Sequence, residues 1–118
     1  MYNHIQIIKN SLAEIAALGS RYLNEINDFP SISIIQQKKY INTDLKLYTI
    51  NFIIRGYVMS DEDSTDDSEQ LVRLVEERLN AVKDSFDGIR ILSIDTDTGL
   101  LSPYGVCNIQ CEARWYEC

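Results

Sequence analysis

The chain has a single histidine, His4. A serine–histidine or cysteine–histidine pair would have to use it as the base. It falls in the first turn of a helical segment, where solvent would leave it unheld. Cysteine is nearly as scarce. Cys107, Cys111 and Cys118 are an odd set, gathered at one end of the sequence. That excludes a disulfide framework and suits a reducing cytosol. No apolar run approaches the roughly 20 residues of a membrane span. Met1 to Asn10 lack the basic start and apolar stretch of a signal peptide. The five glycines (Gly19, Gly56, Gly88, Gly99, Gly105) never cluster, so no phosphate-cradling or dinucleotide loop is present. Basic residues are the minority, 11 against 18 acidic, for a net charge of −7. Affinity for phosphate comes from Lys and Arg, so nucleic acid and anionic membranes are poor partners. An acidic chain can still line a channel that nucleic acid passes without sticking.

Metal chemistry is equally unpromoted. Cys107 and Cys111 are four apart on a strand, which spreads them over roughly 13 Å on one face. They cannot share a tetrahedral zinc. The alternation around them places both in the core, where a free cysteine acts as a small hydrophobe. Asp95, Asp97 and Gly99 imitate the start of a calcium loop. The position that needs a bidentate glutamate is Val106, so the match fails. The acidic run from Asp61 to Asp67 reads as a solvated loop. Every other carboxylate falls in a loop, on a helix surface or on a polar strand face, with no low-dielectric cleft to raise one as a general acid. The expectation is a protein that is not an enzyme and uses no cofactor or metal.

What the chain does have is pattern. Its 118 residues and 45% hydrophobic content support one core and one domain, 1–118. Ile5, Ile8, Leu12, Ile15, Gly19, Tyr22, Leu23 and Ile26 recur at helical steps, which predicts a helix over 2–27. Gly19 on that stripe marks close approach of another backbone. Asn27, Asp28 and Pro30 stop the helix. A short strand is expected over 31–37, followed by a polar stretch and a turn at 42–44. The strongest signal is period two from Leu45 to Met59. Tyr48, Ile50, Phe52, Ile54 and Val58 form one set, and Thr49, Asn51, Arg55 and Tyr57 the other, with Ile53 the exception. A second helix starts at a cap, either Asp66 with Glu69 three residues on or Ser68 itself, and runs to Lys83. Leu71, Leu74, Val75, Arg78, Leu79 and Val82 mark its inner stripe. Strands follow over 89–94 and 106–116, joined by a connection containing Gly99, Pro103 and Gly105. On the last strand Cys107, Ile109, Cys111, Ala113 and Trp115 point one way. Asn108, Gln110, Glu112, Arg114 and Tyr116 point the other. The order is helix, strands, helix, strands. That predicts an α+β fold with a mainly antiparallel sheet flanked by two helices.

The same order carries a resemblance. A long first helix leads to a short strand at Phe29-Pro30-Ser31-Ile32. A long strand ends at Ile54-Arg55-Gly56-Tyr57-Val58. A helix follows from Glu69-Gln70-Leu71-Val72, and the last strand closes on Cys111-Glu112-Ala113-Arg114-Trp115-Tyr116. In this layout the chain resembles the small tail terminator (tail completion) proteins of tailed bacteriophages. The resemblance implies a structural virion protein, made in the host cytoplasm, that forms a hexameric ring. Such a ring caps the tail tube and joins the tail to the neck or connector protein. It can also meet the tail sheath, and DNA passes through its lumen without specific binding.

The residues themselves nominate a contact surface, since Tyr and Arg are favoured at interfaces. The candidates are Arg55 and Tyr57, Arg114 and Tyr116 on polar strand faces, and Asp61, Glu62 and Asp63 in the acidic loop, facing the lumen or a partner ring. Three other readings stand beside this one. They are a phage neck or head–tail adaptor protein, a small cytosolic ligand-binding or regulatory α+β domain, and a weak enzyme whose site a partner chain completes around His4.

Overall fold

A computed structural model of the chain describes residues 2–19, 26, 28–59, 65–97 and 104–116. The elements are α1 (Tyr2–Leu12), β1 (Ala17–Leu18), β2 (Ser31–Asn42), β3 (Leu47–Met59), α2 (Thr65–Ala81), a 3₁₀ turn at Lys83–Ser85, β4 (Gly88–Asp97) and β5 (Tyr104–Tyr116). This is an α+β fold, with the five strands in one sheet in the order β1-β2-β3-β5-β4. All neighbours are antiparallel except the two-residue β1, which runs parallel to β2.

Period two in β3 and β5 becomes two faces of this sheet. One face carries Ile50, Phe52 and Ile54 beside Ile109, Cys111 and Ala113, all of them buried. Ile8 and Leu12 of α1 and Leu71, Val75 and Leu79 of α2 join that cluster. The apolar stripe of each helix thus meets the apolar face of the sheet. The helices are also tied to each other. Arg78 pairs with Glu14, and the Ser11 hydroxyl donates to the Arg78 carbonyl at 3.1 Å. Gly56 lies where α2 crosses β3. A Cβ there would sit 2.6 Å from Leu71 Cδ2 and 2.8 Å from Cys107 Sγ.

The first helix is shorter than its periodicity predicts. It ends at Leu12, and the chain turns through Ile15 and Ala16, whose N–H groups donate to the Leu12 carbonyl. Ala17 and Gly19 then donate to the carbonyls of Pro30 and Ile32, at 3.1 and 3.0 Å. Pairing with the edge of β2 overrides helical propensity, which is a weak term wherever tertiary hydrogen bonds are on offer. Ile15 and Ala16 still pack on the core, so the apolar stripe is used without the helix. Gly19 does mark a close approach, to β2: a Cβ would lie 2.8 Å from Ser31 Oγ. The predicted helical residues 20–25 and 27 lie outside the described residues.

β2 also extends past its predicted end, through the polar stretch to Asn42. It forms a long hairpin with β3, closed at 43–46. Asn42 Oδ1 accepts from the Leu45 N–H at 3.1 Å, and Lys46 takes a left-handed φ of 54°. The start of α2 is a further difference. It begins at Thr65, so Asp66 is helical and Ser68 lies in the first turn with its side chain buried. Neither is the cap.

Two register steps shape the outer strands. One falls between Gln36 and Lys38 on β2, the other between Ile91 and Ser93 on β4. Both flank the same cross-sheet row, Gln36–Phe52–Cys111–Ile91. A bulge bends its strand and raises the local twist, so both outer strands bend at one level.

Candidate assembly surface

The sheet face opposite the helices holds the second set of each strand. From one end it runs Leu47–Tyr116, Thr49–Arg114, Asn51–Glu112, Ile53–Gln110, Arg55–Asn108 and Tyr57–Val106 across β3 and β5. The predicted contact residues Arg55, Arg114 and Tyr116 do share this face, though not one patch. Arg55 and Arg114 lie three cross-strand rows apart, about 20 Å along the strand. Arg55 Nε donates to Asn108 Oδ1 at 2.8 Å, which fixes it flat across the sheet. Arg114 leans over Gly88, where a Cβ would come within 3.0 Å of its guanidinium. Tyr116 is exposed beside it, and its N–H donates to Asp87 Oδ2 at 2.8 Å.

Tyr57 departs from expectation. It is buried, only 6% exposed, on a face read as outward. Its row neighbours Ser31 and Val106 are buried as well, so this end of the face is closed. Alternation assigns a side chain to a face without saying whether that part of the face is covered. Asp61, Glu62 and Asp63 lie outside the described residues.

His4 is also not where its sequence context placed it. Its ring stacks on Trp115 at 4.3 Å and tilts against Phe86 at 5.5 Å, so it is partly buried in an aromatic cluster. Burial also governs the thiols. It pushes Cys107 from 9.0 up to about 11, partly offset by a backbone hydrogen bond at Gly56, and pushes Cys111 up to about 12. Both are neutral at physiological pH. Among the described residues no group of three or more His, Cys, Asp and Glu is placed to hold a metal, and no helix is long and apolar enough to cross a membrane.

The thiols make a pH prediction. Below pH 9 they are protonated in folded and unfolded chains alike, so their contribution to stability is complete. Above pH 9 the unfolded thiols ionise first and stability falls, at about 1.4 kcal/mol per pH unit for each thiol. The loss continues toward the folded values near 11 and 12. Urea unfolding from pH 8 to 10.5 should show this slope, and the Cys107→Ala/Cys111→Ala protein should show a flatter one. Equal slopes would place the thiols in water.

One cleft of about 290 Å³ opens between the end of β3 and α2, lined by Phe29, Pro30, Val58, Leu71 and Leu74, with Asp67 and Gln70 as its exposed polar members. Larger side chains reach solvent on strands and turns. Tyr40, Ile41 and Leu45 are exposed on the β2–β3 hairpin, Leu92 and Ile94 on β4. Sequence reasoning passed over Ile41, Leu45, Leu92 and Ile94. The signal available was Ile91-Leu92-Ser93-Ile94, where two adjacent apolar residues break the period and announce the bulge. The chain matches no protein-family model and no curated protein.

Proposed function

We propose that this chain is a structural subunit that works by assembling with copies of itself, as the ring-forming tail terminator of a bacteriophage tail. The observation that carries the reading is the exposure of Tyr40, Ile41, Leu45, Leu92 and Ile94 on the outer strands and their hairpin. Isolated exposed apolar residues are ordinary, but runs of them along sheet edges favour a protein partner. The α+β layout agrees with the resemblance to tail terminators. A closed ring needs two different patches on each subunit, and the two edges of this sheet differ. The acidic balance of the chain also fits a ring through which DNA slides, because it repels phosphate. In this role the ring caps the tail tube and meets the neck or connector protein.

The test is the mass of the purified chain by light scattering, with negative-stain images of the same peak. The expected result is a ring near six times 13.6 kDa, formed alone or on added tail tubes. A monomer indifferent to tail tubes would exclude the role and redirect attention to the cleft beside α2.

A further inference from the structure

The sheet ends in two open edges of different character. On one side, β1 covers β2 only at Ser31 and Ile32. From Ser33 to Asn42 no described strand pairs with the outer side of β2. On the other side, no described strand pairs with the outer side of β4. Natural proteins defend such edges with charge, bulges or a covering element. Here each edge has a bulge, yet each also exposes two large apolar side chains, Tyr40 and Ile41 on β2, Leu92 and Ile94 on β4. Their charges have opposite sign. β2 carries Lys38 and Lys39, and β4 carries Asp95 and Asp97 at its end, its Arg90 being paired with Glu112 of β5.

Strand direction allows the two edges to meet. The four long strands are antiparallel throughout, so β2 and β4 run in opposite directions. The backbone groups are also in step. The Ile32 carbonyl accepts from the Gly19 N–H, so Ile32 and the helix-facing residues in phase with it aim their backbone groups outward from β2. Bonding sets alternate from one antiparallel pair to the next. With an even number of long strands, the helix-facing set of β4, Ile94 among it, aims outward too. A second copy set head to tail therefore presents β4 antiparallel to β2, donors opposite acceptors, with helices on the same side.

We propose that copies of this chain join by pairing the β4 edge of one with the β2 edge of the next, antiparallel, with Asp95 opposite Lys38 and Ile94 opposite Lys39. Asp95 and Lys38 both lie on the sheet face away from the helices, and Ile94 and Lys39 both lie on the helix side. The aliphatic stem of Lys39 then covers Ile94. The contact is heterologous, the kind that builds a ring when the rotation between successive copies closes. The proposal rests on the self-assembly reading and names its surface.

The test is light scattering on the wild type, Lys38→Glu, Asp95→Lys, the double variant and an equal mixture of the two single variants. Both positions are exposed, so thermal unfolding should remain that of a folded protein. Each single reversal sets like charges opposite each other and should weaken each contact about tenfold or more, leaving monomers where the wild type forms rings. In the equal mixture every junction between unlike variants pairs opposite charges, either the native pair or its reversal, so the mixture should form rings in which the two variants alternate. The double variant should regain rings. Rings that persist in both single variants would overturn the edge pairing and leave the ring reading standing. Dimers of Lys38→Glu alone would replace it with a two-fold β4–β4 contact. A wild type that never assembles, with or without tail tubes, would remove both.

Discussion

Phe52→Ala should lower stability by about 3–5 kcal/mol, the range for removing a buried phenylalanine. Phe52 is fully buried in the middle of the core cluster. Its strand is central, with β2 on one side and β5 on the other, and its neighbours in the row are Gln36 and Cys111. Both outer strands bend around that row, so it has little freedom to collapse into the space left behind. A domain of this size has roughly 5–15 kcal/mol of stability in total. The variant should therefore unfold roughly 12–20 °C lower, at about 4 °C per kcal/mol. Differential scanning calorimetry and urea unfolding would measure it. Phe52→Leu keeps most of the apolar volume and should lose markedly less. A Phe52→Ala protein within about 1 kcal/mol of the wild type would mean that the row is loosely packed.

The features legible in the sequence were those that one local rule decides. Period two over β3 and β5 holds because each strand buries one face, and Ile50, Phe52 and Ile54 meet Ile109, Cys111 and Ala113 as that pattern requires. The burial of Cys107 and Cys111 follows from the same rule. Where two rules competed, the local one misled. Ile15 and Gly19 continue a helical stripe, yet the chain there leaves the helix to hydrogen-bond to Pro30 and Ile32. No property of residues 13–19 alone announces that β2 has a vacant edge. The polar run Gln36–Lys39 looks like a loop because it lies on an exposed hairpin, where a strand needs no apolar face. Among the candidate contact residues, Arg114 and Tyr116 sit together on the face away from the helices, whereas Arg55 lies far along the sheet and Tyr57 is buried. Period fixes the face, while depth and distance depend on packing at each end of it. The bulge at Leu92 shifts the phase of β4 midway, which is why Leu92 and Ile94 did not read as an exposed edge.

Trp115→Ala should cost a similar amount, about 3–5 kcal/mol, through a different part of the molecule. Trp115 is almost fully buried near the end of β5. Its ring stacks against His4 of α1 at 4.3 Å and Tyr48 of β3 at 5.8 Å, and meets Phe86 edge-on at 6.3 Å. It thus joins the first helix, the sheet and the link from α2 to β4 in one cluster. Aromatic pairs of this kind contribute about 0.5–1.5 kcal/mol beyond their buried area. Removing the indole should loosen the first turn of α1, where His4 sits, while Ile5, Ile7, Ile8, Leu12, the Ser11–Arg78 hydrogen bond and the Glu14–Arg78 pair hold the rest. A double-mutant cycle with His4→Ala isolates this link. The two substitutions should cost less together than the sum of their separate effects, by about 0.5–1.5 kcal/mol. Trp115→Phe should recover part of the loss because a ring remains for His4 to stack on. Trp115 is the only tryptophan, so the shift of its emission on unfolding follows this cluster directly in the wild type and in His4→Ala. Strict additivity of the two substitutions would mean that the His4 ring lies beside Trp115 without holding the helix to the sheet.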